Sequence, residues 1–315
     1  MNRKVMERLI ATLITMLLVS SFVFLLQDFT LGDSSAVIFA EDADESLLSS
    51  YREINGLNDN IFIRYLRFLS SFFTFNWGTT VSGMDIKSVL SERFLVTITI
   101  ALFSLVLSLL ISTPWTLSAV INKGSLADKA HSVYTTITLS LPSFLIALFL
   151  SLVFALGLRW FPVAGFIPLK RSVLGYFRSL FLPSLTLAIL HSSLFMRVLK
   201  ASLEDNLEMP YSIALKAQGA DRKDLVLHSA LKISLPVMVS LVSESLASSF
   251  AGAAIVENVF ALPGIGSLFV SAALARDVHL SAILIMLISF IVSVLYFLSF
   301  VVSSLVDPRL KESAR

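Results

Sequence analysis

The chain has 315 residues, a formal net charge of +2 and no cysteine, so disulfides, zinc–thiolate centres and cysteine nucleophiles are excluded. Hydrophobic residues make up 56% of it and charged residues 15%, against about 25% charged in a soluble domain, which marks an integral membrane protein. The net charge is small and no basic patch is interleaved with aromatics, so no nucleic-acid partner is expected.

Arg3, Lys4 and Arg8 form a short basic head, followed by an apolar run over 9–26. The run exceeds the roughly 7–15 residue core of a signal peptide and ends in no small-x-small cleavage site. It is therefore read as a retained first span, giving an N-terminal transmembrane helix within 1–26. Residues 27–94 carry ten acidic side chains and are too polar to cross a bilayer. They are read as an extramembrane subdomain of helices and loops on the outer side. Within it, the aromatic stretch 60–77 suits an amphipathic helix on the membrane face or against the spans.

Five further apolar runs follow, at 95–121, 133–156, 180–196, 233–256 and 280–306. Each can cross about 30 Å of hydrocarbon as a helix, the run 180–196 near the lower limit. Runs this long and continuous are helices, not barrel strands. The expected fold is an all-α integral membrane protein with six transmembrane helices, five of them in a core over 95–315.

Orientation follows from the short connections. The head, the 122–132 loop, the 197–236 insertion and the tail carry fourteen cations, and the opposite connections carry five: Arg159, Lys170, Arg171, Arg178 and Arg276. Positive-inside counting then puts both termini in the cytoplasm and the segment 262–266 outside.

The insertion 197–236 is the longest polar stretch of the C-terminal half. Pro210 suits the first turn of a helix and Gly219 the position just past its end. Leu203, Leu207, Tyr211, Ala214 and Gln218 recur at helical spacing as one mostly apolar stripe. A short amphipathic helix over about 203–220, tethered between two spans, is either a docking device or a helix lying on lipid.

The chain has no GxxxxGK[ST] phosphate loop, no HExxH and no GxSxG, so it is not expected to be an enzyme. His191 and Glu244 lie inside spans, where an ionisable group is functional by default. His191 beside Ser192 and Ser193 equally suits hydrogen-bonded packing. Glu244 needs a water-filled path or a polar partner, and Ser240, Ser243 and Ser248 on its own helix are candidates. Two such groups make no proton relay and no internal repeat is evident, so the energy for transport would enter through a partner.

The order of several short motifs carries a resemblance. Gly32-Asp33, Asn55-Gly56-Leu57, Arg64-Tyr65-Leu66 and Trp77-Gly78 come first, then Leu141-Pro142-Ser143-Phe144, the FPVAG at 161–165 and Leu182-Pro183. Tyr211, Ala217, Gly219 and Pro236 follow, then the long signature 252–277 and Asp307-Pro308-Arg309. Over nearly its whole length the chain resembles the inner-membrane permease subunits of ABC importers, in the oligopeptide/dipeptide/nickel family. Within that family it is similar to the subunit with a long external segment after its first span. It departs from the pattern at Leu31, where proline is expected, at Lys200, where arginine is usual, and at Leu215, where a small residue is usual. Ile213-Ala214-Leu215 stand where the wider class has Glu-Ala-Ala.

The resemblance implies a type I ABC-importer permease fold with a cytoplasmic coupling helix seated on an ATPase through Leu207, Tyr211, Ala214, Leu215, Lys216, Ala217 and Gly219. Arg222 and Lys223 join Lys216 as cations that can pair with acidic groups there. The implied partners are a second homologous permease, two ABC ATPase subunits, an extracytoplasmic solute-binding protein and the bilayer. ATP and Mg are used by the ATPases, with no cofactor or metal bound by this chain. Glu244, Glu257, Pro263, Gly264 and Gly266 are implied to line the path or its outer gate, although a plain Pro-Gly turn suits the last three equally. Peptides are the implied cargo and the bacterial inner membrane the implied location. An ion-coupled secondary transporter, a non-transporting scaffold, and nickel or glutathione cargo are the alternatives.

Overall fold

The structure is a computed structural model describing residues 3–31 and 58–306. The acidic stretch 41–45 and the motifs at 32–33, 55–57 and 307–309 lie outside the described residues. Among the described residues ten helices follow in order: α1 Arg3–Leu31, α2 Ile61–Phe73, α3 Ile86–Ile121, α4 Leu126–Ser140, α5 Ser143–Gly157, α6 Val173–Leu207, α7 Pro210–Ala217, α8 Arg222–Val259, α9 Ile265–Leu274 and α10 Val278–Val306. The second half of α5 and the stretch Leu225–Ala230 of α8 are π-helical.

Five of these helices are long and apolar enough to cross a membrane, and the pair α4–α5 makes a sixth if counted as one span. The single span expected at 133–156 is thus corrected. Between α4 and α5 the chain turns through 110°. Pro142 has no N–H to continue the ladder and forces the residue before it out of the helical region. Leu141 accordingly sits at φ −94°, ψ 131°, and Pro142 caps α5. The span expected at 180–196 is the middle of the 35-residue α6, which continues out of the apolar zone at both ends.

Lipid tails are as apolar as leucine, so helices in a bilayer are held by close packing and polar contacts more than by burial. The most extensive pairing, α3 on α6, follows this rule. Ser104, Ser108, Ser112 and Thr116 recur every four residues on α3 and are completely buried. Their small side chains let neighbouring helices approach, with Ser104 Oγ 3.4 Å from Ser249 Oγ of α8. Ser104 and Ser108 return their hydroxyls to the carbonyls of Ala101 and Leu105 at 2.9 and 2.8 Å. The opposite surfaces of α1 and α3 present Leu17, Leu18, Phe22, Leu102, Val106 and Leu110 outward, as a lipid-facing helix does.

The aromatic stretch 60–77 contains α2, started by the Asn60 side chain accepting from the Phe62 N–H at 2.9 Å. Of the two sites open to it, α2 packs against the spans: Phe68 and Phe72 are buried against Phe24 and Phe290, and the Tyr65 hydroxyl lies 2.7 Å from Ser20 Oγ. Asp28 on α1 pairs with Arg64 on α2. The loop beyond α2 is tied to the start of α10, where Asp277 accepts from the Val81 N–H at 2.9 Å and His279 Nε2 lies 2.9 Å from the Trp77 carbonyl.

Candidate functional site

Helix α6 ends at Leu207, and one tight turn later α7 begins with Pro210 in its first turn. The helix expected over about 203–220 is therefore only Pro210–Ala217, and the stripe drawn through it divides between two elements. Leu203 is completely buried and Leu207 packs beside it, in a cluster with Val120, Leu199, Val226 and Ala230. Both belong to α6. Tyr211 turns its hydroxyl inward, and Leu215 is half-buried. What α7 presents to its surroundings is Ile213, Ala214, Lys216, Ala217, Gln218 and the Gly219 beyond it. Ile213, 58% exposed, is an apolar side chain on that face which the sequence pattern did not single out.

Gly219 sits at φ +95°, where a side chain is strained, yet nothing lies within 4 Å of the place a Cβ would occupy. Its N–H bonds the Lys216 carbonyl at 3.0 Å and the next N–H, of Ala220, bonds Leu215 at 3.1 Å, closing the helix end. The glycine thus ends α7 and redirects the chain into α8.

The base of α7 is fastened to the spans. Ser212 Oγ donates to the Asn206 carbonyl at 2.8 Å. Asn206 Nδ2 donates to the Ser202 carbonyl at 2.8 Å and to Ser234 Oγ at 3.2 Å, and Ser202 Oγ donates to Ser234 Oγ at 2.9 Å, joining α6 to α8. Arg222 Nε donates to the Val120 carbonyl at 2.8 Å, at the end of α3. Of the three cations expected to face a partner, Arg222 is therefore engaged inside the chain. Lys200 pairs with Asp128, and Lys123 with Glu204 at 3.3 Å, so the 122–128 turn is held against α6. Asn206, Ser234 and Val120 carried no mark in the sequence, because their partners lie 28 to 102 residues away.

At the opposite end of α8, Glu257 is completely buried. It accepts from Thr97 Oγ1 of α3 at 2.6 Å and from the Ser267 N–H of α9 at 2.8 Å. Thr97 Oγ1 in turn accepts from the Ile265 N–H at 2.8 Å. A carboxylate at the start of a helix also meets the positive end of its dipole. Pro263 and Gly264 form the entry to α9, so the expected Pro-Gly turn continues into an apolar helix. A Cβ on Gly264 would lie 2.0 Å from the Glu257 carboxylate, and one on Gly266 would lie 2.4 Å from the Ala254 backbone nitrogen. Four of the five residues expected at the path or its gate thus meet in one joint between α3, α8 and α9.

Glu244, the fifth, stands apart in the middle of α8. Its partner is not a serine of its own helix but Tyr296 of α10, whose hydroxyl donates to Glu244 Oε2. A carboxylate at mid-span costs about 2.5–3.5 kcal/mol on insertion scales, so an exposed one belongs beside water or polar groups. A groove of about 600 Å³ runs past it, walled by α1, α6, α8 and α10. His191 has the packing role open to it: buried, with Nε2 3.0 Å from Ser249 Oγ, it links α6 to α8.

A family model, the binding-protein-dependent transport system inner membrane component, matches residues 111–312, well over half of the chain. The chain belongs to this family. This permease is 30% identical to the probable peptide ABC transporter permease protein of Sinorhizobium fredii, over 98% of each chain. It is 26% identical to the glutathione transport system permease protein of Salmonella paratyphi A, over 93% of this chain and 95% of that one. A metal-staphylopine import system permease protein of Staphylococcus aureus is 25% identical over 97% of each. The permease fold is also that of a chain in a crystal form of the MetNI methionine ABC transporter in inward-facing conformations. The TM-score is 0.57 at 17% identity, covering 70% of this chain and 96% of that chain.

Proposed function

We propose that this permease is one of two homologous membrane subunits of an ATP-driven, binding-protein-dependent importer of peptides. The observation that carries the proposal is α7, a short helix with an outward face around Ile213, Ala214 and Ala217, bonded to α6 through Ser212 and flanked by Asn206 and Arg222, which tie its two ends to α8 and α3. A helix so held transmits a push, whereas a free surface helix resting on lipid needs no such fastening. Two ABC ATPase subunits receive α7, use ATP and Mg, and draw together and apart. The spans then rock between outward and inward access, and a binding protein delivers solute at the outer end. Both termini and α7 lie in the cytoplasm, and the α9 joint lies at the outer mouth. The peptide permease among the relatives, and the glutathione permease beside it, favour peptide cargo, glutathione being itself a tripeptide.

The test is reconstitution of the permease with its partner permease, the ATPases and the binding protein in liposomes. Peptide uptake is expected to require internal ATP and to survive an ionophore. Cysteines introduced at Ile213 or Ala217 are expected to cross-link to an ATPase subunit. Uptake that persists without ATP and collapses with the ionophore, or cross-links that never capture an ATPase, would overturn the proposal.

A further inference from the structure

We infer that the groove between α1, α8 and α10 is a binding subsite for a small zwitterion, such as the two termini of a short peptide. Glu244 receives the ammonium and Arg8 the carboxylate. The inference rests on the peptide-importer reading and adds to it the residues that would hold the cargo. About 600 Å³ is room for a small solute. Both charges line the groove, yet no ion pair joins Arg8 to Glu244 among the described residues. Glu244 has one of its two oxygens bonded, by Tyr296. The Arg8 guanidinium stands 5.2 Å from the centre of the Phe300 ring.

Tyr296, which holds Glu244, and Phe300, beneath the Arg8 guanidinium, lie one turn apart on α10, so both charges face the same stretch of that helix. Ser303 adds a buried hydroxyl with no hydrogen-bond partner on the same wall, and Phe300 adds an aromatic face.

The alternatives answer the groove less well. A metal cation or a simple amine would leave Arg8 without a partner, and an anion would meet Glu244. A zwitterionic lipid headgroup carries the same pair of charges, and the experiment separates it from a solute.

The experiment measures equilibrium binding of radiolabelled dialanine, N-acetyl-dialanine and dialanine amide to the assembled permease–ATPase complex in nanodiscs, with no binding protein present. Wild type is expected to bind dialanine at least tenfold more tightly than either blocked form. Glu244→Gln is expected to abolish the preference for the free amine and keep that for the free carboxylate. Arg8→Gln is expected to do the reverse, and Glu244→Asp to restore the amine preference. Variants that weaken all three probes equally would show a merely structural role and overturn the inference, as would a wild type without preference. Displacement of dialanine by phosphatidylethanolamine in the nanodisc would make the groove a lipid site and overturn it too. ATP-driven dialanine uptake by the complete importer separates the two levels. Uptake without selective binding removes the subsite alone, and no uptake of any peptide removes the importer reading and the subsite with it.

Discussion

Gly266 has no room for a methyl group, and the obstacle is backbone, which does not swing aside as a side chain does. Gly266→Ala is expected to prise α9 away from α8 at the cost of an overpacked site, about 1–3 kcal/mol. The check is a thermal midpoint of the purified complex lower than that of the wild type. Glu257→Gln tests the carboxylate itself. Two acceptor oxygens now serve Thr97 and Ser267, whereas an amide offers one oxygen and a donor that faces a donor. The substitution is expected to cost about 1–3 kcal/mol, the usual penalty for a buried group left without its partner, measured by the same midpoint. Thr97→Val is expected to match it, since the hydroxyl both donates to Glu257 and accepts from Ile265. Glu257, Pro263, Gly264 and Gly266 stood out in the sequence as a compact motif. Thr97, 160 residues away, did not, because a threonine in an apolar run carries no mark of the carboxylate it will meet.

At the scale of elements, the proposed coupling role of α7 depends on the handover from α6 through α7 to α8. Gly219→Val puts a β-branched side chain at φ +95° and is expected to disturb the end of α7 while leaving membrane insertion intact. The expected reading is loss of peptide uptake at unchanged permease level in the membrane. Asn206→Leu keeps the bulk but removes the bonds to Ser202 and Ser234. It is expected to leave the ATPases bound while binding protein no longer stimulates hydrolysis, which an ATPase assay on the complex reads directly. The ends of α7 were legible because Pro210 and Gly219 are local signals. Its outward face was not, because the turn at Glu208–Met209 breaks the helical phase and assigns Leu203 and Leu207 to another element. The bend at Leu141-Pro142 was missed for a similar reason: hydropathy sums over a window and does not register a change of direction inside an apolar run, although the proline was there to be read.

For the molecule as a whole, five of the six expected apolar runs and their order were readable from composition, since length and apolarity are what a bilayer selects. How the helices pack was less so, because serines at four-residue spacing look like surface until a partner helix covers them. The cysteine-free chain allows a direct test of topology. Single cysteines at Leu126 and Ile213 are expected to be labelled from one side of the membrane, and at Leu174 and Leu274 from the other; all four side chains are more than half exposed. Labelling of Leu126 and Leu174 from the same side would mean that α4 and α5 dip in and return instead of crossing together. The fastening of α7 has a last consequence. Because α6 runs from the loop before Val173 to α7 as one helix, and Asn206 ties it to α8, whatever stabilises one arrangement at its far end would change the affinity for whatever grips α7. Thermodynamic linkage makes that influence reciprocal: solute loading that tightens nucleotide-bound ATPase on the permease by some factor obliges the nucleotide-bound ATPase to tighten solute by the same factor.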